Sequence, residues 1–368
     1  VEKCAWVCEY YADNGEKFLE EEIVQTDNKK SFITFQPLGV IGCIMPWNFP
    51  FWQLFRFGAP ALTVGNTILL KHSSVVPGCS LAIKDVFDDA GLPKNVFQVI
   101  IGPGKIADKF IPFVDAVSLT GSVEAGVKVA STSSKYLKKF VLELGGSDPF
   151  VVLEDADMNL TCSTAIKSRF INAGQSCIAA KRFIIVKDKY DGFKERVVEI
   201  SQHLNVGDPM DNSTDIGPLV NKAQLINLQN QLKIGVKQGA KILIGGKKIN
   251  RRGYFFEPTV IEVKSNNVLM KEETFGPLMP LIKVSNEEEA IKEANNSEFG
   301  LGAGVWTNDL EKGEKLAKKI EAGCVFVNGQ VKSDPRMPFG GIKKSGIGRE
   351  LSRYGLLEFC NIKSIIIN

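Results

Sequence analysis

The stretch AVSLTGSVEAGVKVASTSSKYLKKFVLELGG, residues 116–146, decides the reading of the fold. It holds a strand-like run (AVSLT), a turn at Gly121–Ser122 opening a helix-like segment, and a second strand-like run (KKFVLELGG). Strand, loop and helix in repetition argue for a parallel sheet with crossover helices. The same alternation extends upstream through TILLK (67–71), a helical stretch ending at Gly91, VFQVII (96–101) and the helix-like IADKFI (106–111). SFITFQPLGVIGCI (31–44) is broken by Pro37 and Gly39 and predicts two strands around a turn, and residues 1–22 predict an amphipathic helix. A second series follows downstream. PFVVL (149–153) leads into a helix ending near Ser176, then KRFIIV (181–186), long helices near 189–203 and 221–239, and a late buried strand in GCVFVNG (323–329). The final NIKSIIIN reads as an edge strand, expected to pair with another subunit.

At 368 residues and 44% hydrophobic content, the chain can build two ordinary domains. Its 45 basic and 42 acidic residues are scattered and nearly balanced, which argues against a nucleic-acid partner. Lys138–Lys139 and Lys343–Lys344 read as solvated faces. No apolar run reaches the ~18–20 residues that span a bilayer, and VEKCAWVCEYY lacks the apolar core of a signal peptide. The eight cysteines contain no CxxC pair, so neither zinc nor thioredoxin-type chemistry is expected. They point to a reducing, cytoplasmic setting, with Cys4 and Cys8 as packing thiols on one helix face.

Four short stretches resist explanation by packing alone. MPWNFP (45–50) holds Asn48 in a loop stiffened by two prolines. LELGGSDP (142–149) sets Glu143 between leucines before a glycine pair. NAGQSCIAAKR (172–182) presents Cys177, and EETFGP (272–277) combines carboxylates with a turn. Singly, each has an ordinary reading: an inert thiol, a turn asparagine, a surface carboxylate. In this order they resemble the NAD(P)-dependent aldehyde dehydrogenase superfamily, of the hydrolytic kind. LTGSVEAG and PFGGIKKSGIGRE belong to the same pattern, which runs from about residue 4 to the C-terminus.

The resemblance implies that Cys177 attacks the aldehyde carbon and that Asn48 and the Cys177 backbone N–H stabilise the oxyanion. It also implies that Glu143 activates the water that hydrolyses the thioester, its pKa raised by Leu142 and Leu144. A thiol is already partly ionised at neutral pH, so the presence of only two histidines, His72 and His203, argues against a papain-like hydrolase and not against a nucleophilic cysteine. Many members carry a proton-relay lysine nine residues after the asparagine. Here that position is Phe57, which leaves the route of proton release open.

No strict GxGxxG occurs, and Gly102 and Gly104 in IGPGKIAD make only a weak dinucleotide fingerprint. The resemblance places the cofactor phosphates at Gly121 and Ser122, with Gly126 allowing close packing. It further implies that Glu273 holds the nicotinamide ribose and that Phe275, Trp47 and Leu144 line the cofactor channel. NAD-preferring members place a glutamate three residues after the lysine of LKHSS, where this chain has Ser74. With Lys71 beside it, the expected cofactor is NADP, with NAD less preferred and no metal. The alternative for this pair is an N-capping serine with a solvated lysine.

In the succinate-semialdehyde branch an arginine eight residues after the asparagine binds the substrate carboxylate, which makes Arg56 the expected clamp. The branch's second arginine is replaced by Ile171, and Arg169 lies two residues further back. Phe170 and Phe339 are expected to wall the substrate pocket. Succinate semialdehyde is thus the expected substrate, with glyceraldehyde and lactaldehyde as alternatives, and a CoA-acylating or catalytically silent relative as rival readings.

The expected architecture is α/β, with two Rossmann-like open-sheet domains and a small β extension for oligomerisation. Residues 1–22 and 37–145 form the cofactor domain, incomplete at its front compared with the family, and residues 146–337 the catalytic domain. Residues 23–36 and 361–368 form the extension, and 338–360 return to the cofactor domain. A homodimer or homotetramer is expected.

Overall fold

The computed structural model describes residues Val1–Asn368. The chain divides into two compact units. The first comprises Val1–Leu144, Ser333–Gly340 and Gly346–Asn368, and the second Gly145–Lys332 and Gly341–Ser345.

The first unit is built on a six-stranded sheet in the order Gly346–Ile347, Lys139–Glu143, Ala116–Thr120, Val40–Met45, Thr67–His72, Phe97–Val99. All neighbours are parallel except Gly346–Ile347, which runs antiparallel to Lys139–Glu143. Helices Trp52–Thr63, Pro77–Asp89 and Val123–Lys135 make the crossovers. After Val40–Met45 the chain builds the sheet outward on one side. It then returns to lay Ala116–Thr120 on the other. This reversal leaves a crevice at the carboxyl ends of two adjacent strands, the usual ligand position of an open α/β sheet. Asn48 follows one of these strands and Gly121–Ser122 follow the other.

SFITFQPLGVIGCI does form two strands around Gly39, whose φ is +127°, but they lie in different sheets. Lys30–Pro37 joins Glu22–Ile23 and Cys360–Ile367 in a three-stranded antiparallel sheet. Val40–Met45 enters the parallel sheet instead.

The second unit has seven strands in the order Lys241–Ile244, Thr259–Glu262, Leu278–Val284, Ala180–Val186, Asp148–Val152, Gly302–Trp306, Cys324–Val327. Only Lys241–Ile244 is antiparallel to its neighbour. The central strands are buried along their whole length, so their apolar residues run nearly unbroken. Successive side chains still alternate between faces. Val151, Ile184, Ile282 and Val305 pack with Leu228 and Leu232 on one side. Phe150, Phe183, Ile185 and Trp306 pack with Phe193 on the other, where Phe150 and Trp306 stack at 5.0 Å between ring centroids. No helix is long and apolar enough to cross a membrane.

Candidate active site

In the second unit Cys177 lies in the loop between helix Met158–Phe170 and strand Ala180–Val186. The chain reaches it through three consecutive left-handed residues, Asn172, Ala173 and Gly174, with φ of 50°, 54° and 75°. Two of these carry a Cβ, so each costs about 1–2 kcal/mol of backbone strain. Gly174 has a steric reason to be glycine, since a Cβ there would run into the Gly276 carbonyl. The loop turns through an Ala179 N–H bond to the Ser176 carbonyl (3.2 Å) and leaves Cys177 half-exposed.

Two buried cations hold this loop. The Nζ of Lys181 donates to the carbonyls of Ser176 (2.8 Å), Cys177 (2.8 Å) and Ala179 (3.3 Å) and pairs with Glu273 Oε1 at 3.4 Å. Arg169 donates to the carbonyls of Ala180 (2.9 Å), Thr274 (3.0 Å) and Gly276. The segment bearing Cys177 is thereby tied to the segment bearing Glu273 and Phe275. Glu273 Oε1 also accepts the Gly146 N–H at 3.0 Å, and a Cβ on Gly146 would sit 2.6 Å from the Cys177 carbonyl oxygen. Gly146, Cys177 and Glu273 thus meet at the amino ends of three neighbouring strands, Asp148–Val152, Ala180–Val186 and Leu278–Val284. Beneath them Asp148 accepts the Gly302 N–H (3.1 Å), and burial pushes its carboxyl up to about 6 against the pull of Lys181. Phe275 is half-buried, and its carbonyl accepts from Gln224 (2.6 Å).

In the first unit Glu143 ends strand Lys139–Glu143 and is 2% exposed. Neither of its carboxyl oxygens accepts a hydrogen bond from the protein. Burial holds its pKa well above the usual carboxylate range. Arg56 and Arg349 oppose that shift and Glu350 reinforces it. A Cβ on Gly340, whose φ is +155°, would lie 2.7 Å from Glu143 Oε1, so this backbone approach requires glycine. Asn48 Oδ1 accepts from Gln53 Nε2 at 2.9 Å, which turns the Asn48 Nδ2 donor to the opposite side of its amide. Trp47 is half-buried beside it.

Arg56 is the expected clamp for a substrate carboxylate. It is buried and paired through Nε with buried Glu350, and its Nη2 donates to Thr120 Oγ1 at 3.3 Å. Its guanidinium lies 4.6 Å from the Phe339 ring centroid. Phe339, expected to wall the substrate pocket, is buried against this guanidinium. Phe170 is likewise a core residue of the second unit, packed with Cys162, Ala165 and Phe193. Arg169 is fully buried with both Nη nitrogens on backbone carbonyls, so it serves the fold.

The residues expected to bind the cofactor in the first unit lie at or just beyond the carboxyl ends of its strands. Lys71 is buried near the end of Thr67–His72, and burial lowers its pKa. Ser74 is exposed in the following turn and does not cap the next helix, whose N-cap is Val76 without a side-chain bond. Ser122 caps helix Val123–Lys135, accepting from the Ala125 N–H at 3.2 Å. Gly121 lies between strand and helix, and a Cβ on Gly126 would be 2.6 Å from Leu144. An ammonium and a hydroxyl at one strand end, with Val40–Met45 between it and the strand end that opens helix Val123–Lys135, suit a phosphorylated dinucleotide.

Sequence reasoning missed Lys181, Gln53, Gly340 and Glu350. Lys181 stood beside the cysteine motif, and Glu350 closed the quoted PFGGIKKSGIGRE. A charged residue in an otherwise small or apolar motif was the available signal.

Residues 1–365 match the Aldehyde dehydrogenase family. The chain is 50% identical to a "Probable succinate-semialdehyde dehydrogenase [NADP(+)]" of Synechocystis sp., covering 100% of this chain and 82% of that protein. It is 44% identical to "Succinate-semialdehyde dehydrogenase [NADP(+)] 1" of Mycobacterium bovis, over 99% of this chain and 81% of the relative. The crystal structure of succinic semialdehyde dehydrogenase from Streptococcus pyogenes in complex with NADP+ superposes with a TM-score of 0.97 at 38% identity. That match covers 99% of this chain and 81% of the other.

Proposed function

The chain belongs to the aldehyde dehydrogenase family, and from that premise we propose that it oxidises succinate semialdehyde to succinate with NADP, without coenzyme A. The observation that carries the chemistry is the half-exposed Cys177 on a strained loop braced from beneath by Lys181 and Arg169. The substrate reading rests on relatives at 44–50% identity across nearly the whole chain that are named for it. Relatives named for NADP also support the cofactor reading, together with Lys71 and Ser74 at one strand end without a carboxylate at Ser74.

In this reading the Cys177 thiolate adds to the aldehyde carbon, and the oxyanion so formed is met by the Cys177 N–H and by Asn48 Nδ2. When bound, NADP accepts the hydride. Cys177 is left as a thioester. Glu143, in its carboxylate form, takes a proton from water as the water attacks the thioester, and the thiolate leaves with succinate released. One aldehyde, one NADP+ and one water give one carboxylate, one NADPH and two protons. Glu273 and Phe275 are proposed to hold the nicotinamide end, with Trp47 and Leu144 lining its channel. Gly121 and Ser122 receive the phosphates, Gly126 lets the helix pack closely against Leu144, and Lys71 and Ser74 receive the 2′-phosphate. Arg56 serves by fixing Glu350 and moderating the charge around Glu143.

A dimer or tetramer built through the Cys360–Ile367 strand fits its exposed Ile362, Ile366 and Ile367, and cytoplasmic residence fits eight free cysteines. The test is NADPH production across a panel of small aldehydes, charged and uncharged, with Cys177→Ala as control. Succinate semialdehyde should give the highest kcat/KM. A preference for an uncharged aldehyde would reject the substrate, and turnover that needed coenzyme A would reject hydrolysis.

A further inference from the structure

We propose that Lys181 is a positioning residue that aims and strengthens the Cys177 N–H as an oxyanion donor. This inference rests on the reading of Cys177 as the nucleophile.

The geometry is within one loop. Lys181 is 1% exposed, four residues beyond Cys177, and its ammonium grips the Ser176 carbonyl at 2.8 Å. The Ser176 carbonyl and the Cys177 N–H belong to the same peptide unit. The chain has no cis peptide bond, so these two groups point in opposite directions. Fixing the carbonyl on Lys181 therefore fixes the N–H on the far side of the peptide plane, away from the ammonium. The neighbouring plane is pinned as well, because the same ammonium holds the Cys177 carbonyl at 2.8 Å. With both planes flanking the Cys177 Cα held from one side, the Cys177 side chain and N–H have little freedom left to drift.

The second effect is electronic. A cation on a carbonyl oxygen draws electron density through the amide and makes the N–H of that amide a better donor. The Ser176 oxygen also accepts the Ala179 N–H at 3.2 Å, so two donors polarise the same peptide. A buried ammonium needs compensation, which Glu273 Oε1 supplies at 3.4 Å while Gly146 anchors the carboxylate from the other side. A serine at position 181 would carry one donor and an asparagine two, on shorter stems, against the three of the lysine ammonium. Only a long cation reaches three.

The test separates donor positioning from thiol reactivity and from folding. Two reactions of Cys177 are followed on the 368-residue chain without cofactor. Alkylation by iodoacetamide displaces iodide at a saturated carbon and builds no oxyanion. Acylation by p-nitrophenyl acetate forms a C–S bond at a carbonyl, passes through an oxyanion, and expels p-nitrophenolate with the bonding pair. Lys181→Met removes the charge and donors at similar volume, and Lys181→Gln keeps one amide donor. Loss of a whole oxyanion donor typically costs 10²–10³ in rate. Weakening one should slow acylation by about 10- to 100-fold in Lys181→Met and less in Lys181→Gln, with alkylation within about threefold of wild type. The kcat for aldehyde oxidation should fall in parallel with acylation while KM for the aldehyde stays within about threefold.

Acylation at the wild-type rate would overturn the proposal. So would alkylation falling in step with acylation, which would place the effect on the thiol or the fold. If Lys181→Met does not fold, Lys181→Gln decides by the same two rates. A wild-type enzyme that acylates at no cysteine, with Cys177→Ala as background, would sink the nucleophile reading itself. An active wild type with an equally active Lys181→Met would sink only the role of Lys181.

Discussion

Replacing Arg56 with methionine should be far more damaging than its place behind the chemistry suggests. Arg56 and Glu350 form an ion pair in which both side chains are buried, at 3% and 1% exposure. Arg56 is the sole hydrogen-bond donor acting on the Glu350 carboxylate, whose Oε1 has no partner. Removing one partner of such a pair strands a desolvated charge and typically costs about 3–5 kcal/mol. For a unit of this size each kcal/mol moves the midpoint by roughly 2–4 °C, so Arg56→Met should lower Tm by about 6–20 °C. A buried pair replaced whole by apolar residues is often neutral, so Arg56→Met with Glu350→Leu should recover most of the loss. Differential scanning calorimetry of the two singles and the double reads the coupling directly.

The same cycle has a kinetic arm. Arg56 lowers the Glu143 pKa and Glu350 raises it. As the proposed base, Glu143 can act only when deprotonated. Arg56→Met should therefore move the ascending limb of the kcat–pH profile to higher pH, and Glu350→Gln should move it lower. A single mutant within about 2 °C of wild type, or limbs that shift together in one direction, would refute this reasoning.

Two further outcomes follow from the sites. Glu143→Gln should cut steady-state turnover by about 10²–10⁴ while sparing the first burst of NADPH, as seen by stopped-flow absorbance. It should also change stability with pH. In the folded state burial raises the Glu143 pKa above its unfolded value near ~4.3. Its contribution is therefore complete below the unfolded value and is lost as pH rises through the folded one. The Tm of Glu143→Gln should gain on wild type with rising pH, and a pH-independent gap would contradict the cause given. Ser74→Glu should shift the kcat/KM ratio towards NAD by about tenfold or more, because a carboxylate would face the 2′-phosphate. An unchanged ratio would show that Ser74 does not meet that group.

The parallel sheets and their crossover helices were legible because apolar strands alternate with long helical stretches from Thr67 to Gln202. The region from Lys241 to Ala317 was not. It contains strands Lys241–Ile244, Thr259–Glu262, Leu278–Val284 and Gly302–Trp306 and helices Glu287–Asn295 and Leu310–Ala317. Its first two strands have only four residues each, and in the other two Pro280 and Gly304 hide the β-branched pattern. Around the sites, reactive residue types were visible in the sequence, but their partners were not. Arg56 read as a substrate clamp because Glu350, 294 positions away, cannot be placed beside it by spacing. Lys181 was adjacent to the motif, yet its target is the backbone, which leaves no signature in residue identity. The second unit also places its cysteine at the amino ends of its strands, against the usual rule for open sheets.

Cys177 is proposed to carry the acyl group between oxidation and hydrolysis. The most direct measurement is intact and peptide mass spectrometry of Glu143→Gln mixed with NADP and succinate semialdehyde and quenched in acid. One succinyl group per chain is expected, on the peptide containing Cys177 and absent from Cys177→Ala. An adduct on another residue, or an enzyme that turns over with none at any time, would contradict it.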